Sequence, residues 1–227
     1  PAQENFATHP RQIIYREGLN VGYRHFVTHE SLVLFPFGHG LSYTTFAYAN
    51  LRVSGDTSAH GLNLEVRVDI TNSGPCAGAE IVQLYVRDVE ASVYRPDREL
   101  KAFRKLYLGA GETAACTLVL DRRSFAFFDI GDDDWVVEPG AFELLVGASC
   151  TDIRQSIAIA LKGDTRRNTT KTQETPYVIM TDNELAARGL YVTVAESVKP
   201  YHANTTLADI QHHWLGKRIV AMVFKAI

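Results

Sequence analysis

Cysteine is scarce in this chain: Cys76, Cys116 and Cys150 are the only three among 227 residues. An odd number at such wide spacing fits neither a paired disulfide framework nor a zinc or redox motif. Two of the three sit in alternating apolar segments and read as small core residues. Long apolar runs are missing as well, since no window approaches the ~20 residues that a membrane-crossing helix needs. Neither sign of charge dominates, with 23 Lys and Arg against 26 Asp and Glu, a net charge of −3 and a pI near 6.3. That balance provides no electrostatic attraction for nucleic acid or an anionic membrane, and neither is expected as a partner. No leader is visible either. The chain opens on Pro1 and its first methionine is Met180, so the expectation is a processed, cloned or truncated product whose compartment stays open. Asn168-Thr169-Thr170 and Asn204-Thr205-Thr206 fit the N-glycosylation pattern and point only weakly to secretion.

What is present is ordinary for a globular chain, 46% apolar and 22% charged. Its informative property is its period. Leu62, Leu64, Val66, Val68 and Ile70 alternate with Asn63, Glu65, Arg67, Asp69 and Thr71, the pattern of a strand with one face in a core and the other in water. Asn72-Ser73-Gly74-Pro75 closes it with turn residues. Val82, Leu84 and Val86 form the next inward face, with Gln83 and Arg87 directed away. Further strands are expected over 46–53, 100–108, 114–120, 142–148 and 157–161, punctuated by Gly109-Ala110-Gly111 and Glu138-Pro139-Gly140. About seven short strands over ~115 residues predict an all-β fold, a fibronectin type III-like (immunoglobulin-like) β-sandwich over 45–161.

The flanks differ. Residues 1–44 carry too little apolar sequence to bury a core of their own, as expected for the tail of a larger fold. Residues 162–175 are polar and without an apolar period, a linker. Over 176–227 a small helical extension is expected, with Thr206 and Asp209 in a capping-box-like arrangement. Leu207, Ile210, Trp214, Ile219, Val223 and Ile227 follow at near-helical spacing, and Gly216 is expected to break or kink the helix. Such a stripe would bury itself against the sandwich or against a body outside the chain.

The run Leu34-Phe35-Pro36-Phe37-Gly38-His39-Gly40-Leu41-Ser42-Tyr43-Thr44-Thr45-Phe46 obeys neither period. Proline fixes its φ and glycine releases its own, so the run is neither regular helix nor central strand. Its rings need a surface to bury against, and it reads as a rigid linker with Phe35, Phe37, Tyr43 and Phe46 as domain-docking residues. In the intact protein, Phe37→Ala is expected to loosen domain docking and cost ~3–5 kcal/mol if the ring is buried; a near-neutral effect would mark it as exposed.

This run resembles the junction of glycoside hydrolase family 3 β-glucosidases. Tyr15-Arg16-Glu17-Gly18-Leu19-Asn20-Val21-Gly22-Tyr23-Arg24 resembles the segment that precedes the junction in that family. Three further stretches resemble the family's C-terminal fibronectin type III-like domain: Glu80 to Val86, Glu99 to Leu106 with Gly109 to Thr113, and Trp135 to Phe142. The likeness implies that residues 1–44 are the end of an α/β catalytic domain with its aromatic junction. It implies a parent enzyme that hydrolyses terminal β-linked glucose with retention, through a glycosyl-enzyme intermediate and without a metal or organic cofactor. This segment would brace the catalytic domains. Its expected partners are the upstream catalytic domains of the same enzyme and, through them, a β-glucoside substrate. β-Xylosidases and other exo-glycosidases of the family have similar junctions, so the sugar stays undecided.

Retaining hydrolysis needs two carboxyls about 5–5.5 Å apart. Asp132-Asp133-Asp134-Trp135 offers an Asp-Trp pair but lacks the serine that precedes the family's nucleophile. Three adjacent acids favour a solvated turn, because burying them is costly. Glu17 lies at the wrong motif for the acid/base. No catalytic residue and no metal ligand is therefore assigned, and His212 and His213, being adjacent, would face different directions on a helix. His39, between two glycines, is expected to fix the junction turn through a buried hydrogen bond or to lie at the edge of the substrate pocket; Ser42 is expected to bond locally. In the loop 89–97, Tyr94 and Arg95, with Arg98 beside them, are candidates to touch the catalytic domains or a sugar. The plainer reading is an exposed loop held by Arg–Asp pairs. The alternative function is a stand-alone, non-catalytic carbohydrate-binding or adhesion module, which would expose aromatics on one sandwich face. Most aromatics here fall in the junction or at inward positions such as Phe142, which favours a docked domain.

Overall fold

The computed structural model describes residues 17–164, 210, 211 and 213–225. The glycosylation triplets, residues 165–175 of the linker and the expected helix start at Thr206–Asp209 lie outside the described residues. In chain order the elements are α1 (Tyr23–Thr28), β1 (Phe46–Asp56), β2 (Asn63–Asn72), β3 (Gly78–Asp88), β4 (Glu99–Leu108), β5 (Thr113–Asp121), a 3-10 turn (Arg122–Ser124), β6 (Phe127–Asp129), β7 (Asp134–Val136), β8 (Gly140–Gly147), β9 (Ile153–Leu161) and α2 (Trp214–Lys225).

Two antiparallel sheets make the sandwich, one in the order β1-β2-β5 and one in the order β4-β3-β8-β9. Three strands facing four is the fibronectin type III arrangement predicted from the period. The inward residues of β2 (Leu64, Val66, Val68, Ile70) and β5 (Cys116, Leu118, Leu120) meet those of β3 (Val82, Leu84, Val86) and β8 (Phe142, Leu144, Val146) in one continuous core. Phe125 closes one side of it, edge-on to Phe142 with ring centroids 5.4 Å apart. Cys116 and Cys150 are buried, which pushes both thiols up, while Cys76 is exposed; all three are free.

β3 and β8 depart from simple alternation. From Val82 to Val86 every residue is buried, Gln83 and Tyr85 included, and β8 is buried from Leu144 to Gly147. Their second face is covered as well. A separate cluster of Tyr85, Leu145 and Cys150, joined by Leu100 and Ile153, lies under Tyr23 and Val27 of α1. The outward face of the four-stranded sheet is thus coated, in part, by the segment that precedes the sandwich.

Between β5 and β8 the chain adds a small antiparallel hairpin, β6–β7, that the period did not reveal. Asp132 and Asp133 lie in its turn and Asp134 opens β7. Helix α2 belongs to a second compact unit. Gly216 does not break it. The glycine lies in the first turn, buried against Ile210, where any Cβ would collide with the Ile210 backbone carbonyl. The His213 ring nitrogen Nδ1 accepts the Leu215 amide at 3.3 Å. No helix among the described residues is long and apolar enough to cross a membrane.

Candidate functional site: an aromatic junction and an end groove

The segment 17–44 runs across the outside of the four-stranded sheet from the start of β4 to the end of β2. At its beginning the Asn20 amide donates to the Tyr94 hydroxyl. Arg24 pairs with Glu99 at 3.1 Å, the Tyr23 hydroxyl accepts the Leu100 amide at 2.7 Å, and the Thr28 hydroxyl accepts the Asp97 amide at 3.0 Å. Tyr23 is the hinge of the packing: it stacks on Phe37 (4.5 Å, 17°) and meets Tyr85 edge-on (6.1 Å, 74°).

Midway, Gln83 fastens the junction to the sheet. Its amide nitrogen donates to the carbonyls of Gly38 (3.1 Å) and Ala148 (2.6 Å), and its oxygen accepts the Tyr85 hydroxyl (2.6 Å). The Cys150 amide donates to the Phe37 carbonyl at 3.0 Å. Only glycine fits at position 38, where φ is +83° and a Cβ would overlap the Gln83 amide group. Burial pushes the Tyr85 hydroxyl up, so it stays protonated and donates.

At the far end Asn72 ties junction and both sheets together. Its side-chain nitrogen donates to the carbonyls of Leu108 (3.0 Å) and Cys76 (2.8 Å), and its oxygen accepts the Thr44 hydroxyl (2.6 Å) and the Gly74 amide (3.1 Å). Every bond that this buried amide can make is made. Read from the sequence as a turn residue, Asn72 is a clamp.

The loop between β3 and β4 is built around a buried guanidinium. Arg95 donates to Asp88 (3.2 Å), Glu99 (3.3 Å) and the Phe125 carbonyl (2.8 Å), and Lys101 reaches Glu99 at 3.2 Å. Burial pushes the Glu99 carboxyl up, but Lys101, Arg95 and Arg24 outweigh it and hold it below the usual carboxylate range. For Asp88 burial prevails over Arg95 and the carboxyl is raised. The Ser92 amide donates to Glu138 at 2.9 Å, and the Ser92 hydroxyl bonds the same carboxylate.

Beside this loop opens a groove of about 930 Å³, with walls from Leu19, the loop and the β6–β7 hairpin. Its floor is preorganised: the Arg123 guanidinium lies 3.3 Å over the Trp135 ring, and Phe128 meets Trp135 edge-on at 5.6 Å. Among the described residues no three His, Cys, Asp or Glu side chains come together as a metal site.

Comparison with known proteins places this arrangement. Residues 80–150 match the family model for the fibronectin type III-like domain. Thermostable β-glucosidase B of Acetivibrio thermocellus is 44% identical over 170 residues, covering 75% of this chain. An exo-α-(1→6)-L-arabinopyranosidase of Bifidobacterium breve is 39% identical over 164 residues, 72% of the chain. The crystal structure of the Bifidobacterium adolescentis GH3 β-glucosidase superposes with a TM-score of 0.67 at 32% identity, covering 97% of this chain. The chain belongs to glycoside hydrolase family 3. It corresponds to the C-terminal portion of the family's β-glucosidases, with their fibronectin type III-like domain. This family 3 segment spans 22% of the Acetivibrio protein, 21% of the Bifidobacterium breve protein and 28% of the solved chain.

Within the family 3 segment the residues singled out by sequence fall in three places. Tyr94 and Arg95 line the groove, but Arg95 is only 9% exposed and its guanidinium is taken up by Asp88, Glu99 and Phe125. His39 sits far along the junction. Its side chain is exposed and lies on Phe35 (5.8 Å), and its backbone amide, donating to the Pro36 carbonyl at 3.0 Å, closes the turn. The expected buried histidine hydrogen bond is therefore replaced by a backbone one, because the ring points into solvent. Ser42 bonds locally, accepting the Thr44 amide at 3.3 Å. Of the docking aromatics, Phe46 is buried in the sandwich's own core, and Phe37, stacked on Tyr23, is 46% exposed in this segment. Phe35 and Tyr43 are exposed. Gln83, Asn72, Tyr23 and Trp135 appear in the sequence only as outward, turn and motif residues, with no role in the site, and Arg123 went unnoticed. A polar Gln inside the apolar stretch Val82–Val86 was the available signal for the first.

Proposed function

We propose that this segment is the bracing end of a β-glucosidase-like, retaining family 3 hydrolase and has no turnover of its own. On this reading residues 1–44 are the end of the α/β catalytic domain with its junction, 45–161 the sandwich, 162–175 a linker and 176–227 a helical extension. The observation that carries it is the two-sided junction. Its inner side is tied to the sheet through Gln83, Tyr23 and Asn72, while Leu32, Leu34, Phe35, Leu41 and Tyr43 stand 72–102% exposed on its outer side. A rigid strip of apolar side chains presented to solvent is a surface awaiting a partner, and in this family that partner is the catalytic body upstream. Tyr94 and His39 are then edge contacts to that body or to its β-glucoside. Asp97 and Glu99 are held in ion pairs and Asp133 and Asp134 are exposed, which supports the absence of a catalytic pair.

The test has two arms. The purified chain should not hydrolyse an aryl β-glucoside; turnover that survives purification would refute the assignment. Tyr43→Ser should leave the unfolding midpoint of the chain unchanged, because the ring is 98% exposed. In the intact enzyme the same change should lower the midpoint by a loss of about 1.5–3 kcal/mol. One observation favours the alternative of a carbohydrate-binding module: Phe103 and Tyr107 stand 68% and 74% exposed on one face of β4, contrary to the expectation that the sandwich's aromatics point inward. Retention of the chain on insoluble β-glucan would support that second reading.

A further inference from the structure

The groove at the loop end of the sandwich, about 930 Å³, has an apolar lip, while Tyr94 and Glu99 in its wall also bond the start of the junction segment. Ile130 at the hairpin tip is 89% exposed, Leu19 54%, Phe128 45% and Trp135 37%. We propose that this groove is a second docking socket, filled by an apolar element of the upstream body of the same enzyme. The inference rests on the bracing reading and adds to it a contact separate from the junction strip.

Two observations choose that occupant. First, the relatives are far longer than this chain, which spans 22% of one of them, so most of a family 3 protein is available to fill the socket. Second, the basic side chains of the wall are engaged: Arg95 and Lys101 are paired with Glu99, and Arg123 covers the Trp135 ring. The exposed Ile130, Phe128 and Leu19 then reward an apolar occupant. The stacked floor and the Arg95 anchor keep the socket open before binding, which lowers the ordering cost of docking.

Hydroxyl-radical footprinting of the isolated chain and of the intact enzyme tests this. Phe128 and Trp135 should be oxidised at least about tenfold more slowly in the intact enzyme, as expected for side chains at the core of an interface. Ile130→Asp should restore most of that oxidation in the intact enzyme while leaving the unfolding midpoint of the isolated chain unchanged. Equal oxidation of Phe128 and Trp135 in the two forms overturns the socket. Tyr43 and Leu41, read in the same experiment, separate the two claims. If they are protected and the groove is not, the brace stands and the socket falls; if neither is protected, both fall.

Discussion

The four-stranded sheet has two faces that hold their neighbours by different means. Its inner face meets the three-stranded sheet through aliphatic and aromatic side chains, with Val82, Leu84, Phe142 and Leu144 fully buried. Its outer face holds the junction through a few rings and through amides and hydroxyls with named partners: Gln83 on Gly38 and Ala148, Tyr23 on Leu100. The inner contact is non-directional and grows with area, so many sequences satisfy it. The outer contact is directional, and one wrong atom leaves a buried polar group without a partner. Cohesion on one side of a single sheet is bulk; on the other it is geometry.

This contrast can be broken or sharpened by experiment. The largest effect should come from Phe142→Ala, about 3–5 kcal/mol by urea unfolding, because the ring is fully buried against Phe125. Gln83→Leu should cost less, about 1–3 kcal/mol, since it strands the Gly38 and Ala148 carbonyls and the Tyr85 hydroxyl but leaves the core filled. Its signature is local: the Cys150 amide should exchange hydrogen faster than the β2 and β3 amides. Equal acceleration throughout would mean that the two faces form one cooperative layer and would erase the distinction.

The smallest effect concerns Asp164, which receives both Arg122 nitrogens at 2.8 Å and the Val137 amide at 2.7 Å. Burial pushes this carboxyl up, but Arg122 and Val137 outweigh it and hold it below its usual 3.8. The unfolded chain, with the ordinary value, binds protons more readily, so acid favours unfolding. The contribution is complete above the usual value and is lost as the pH falls through the folded one. Asp164→Asn should therefore flatten part of the acid limb of a stability–pH curve and leave its shape near neutrality unchanged.

The same contrast explains what could be read from the residues alone. Alternation in β2 depends only on burial, and Leu62 to Ile70 announce it. Tyr85 obeys the same alternation, pointing away from the core, yet it is fully buried, because the layer over it comes from residues some sixty positions earlier. Period-two reasoning registers which way a side chain points and is blind to what covers it. Phe103 and Tyr107 on β4 show the converse: they too point outward but stand exposed among the described residues, against the expectation that the sandwich's aromatics point inward. The β6–β7 hairpin, with three-residue strands, is too short to register a period. Tyr94 and Arg95 drew notice in the sequence because they sit in a loop. The hairpin wall opposite, with Trp135 and Ile130, emerges only when the chain folds back on itself.

The coating of the outer face sets where this protein can be divided. Alternation begins at Phe46, and period alone would put the start of the domain there. Trimming to that point would strip α1 and the Phe37 turn from the sheet, uncover Tyr85, Leu145 and Cys150, and leave Gln83 reaching for a carbonyl no longer there. A newly bared apolar face on an open sheet invites association with its own copies. The trimmed product should be the less soluble of the two, and the boundary that respects the fold lies before Glu17.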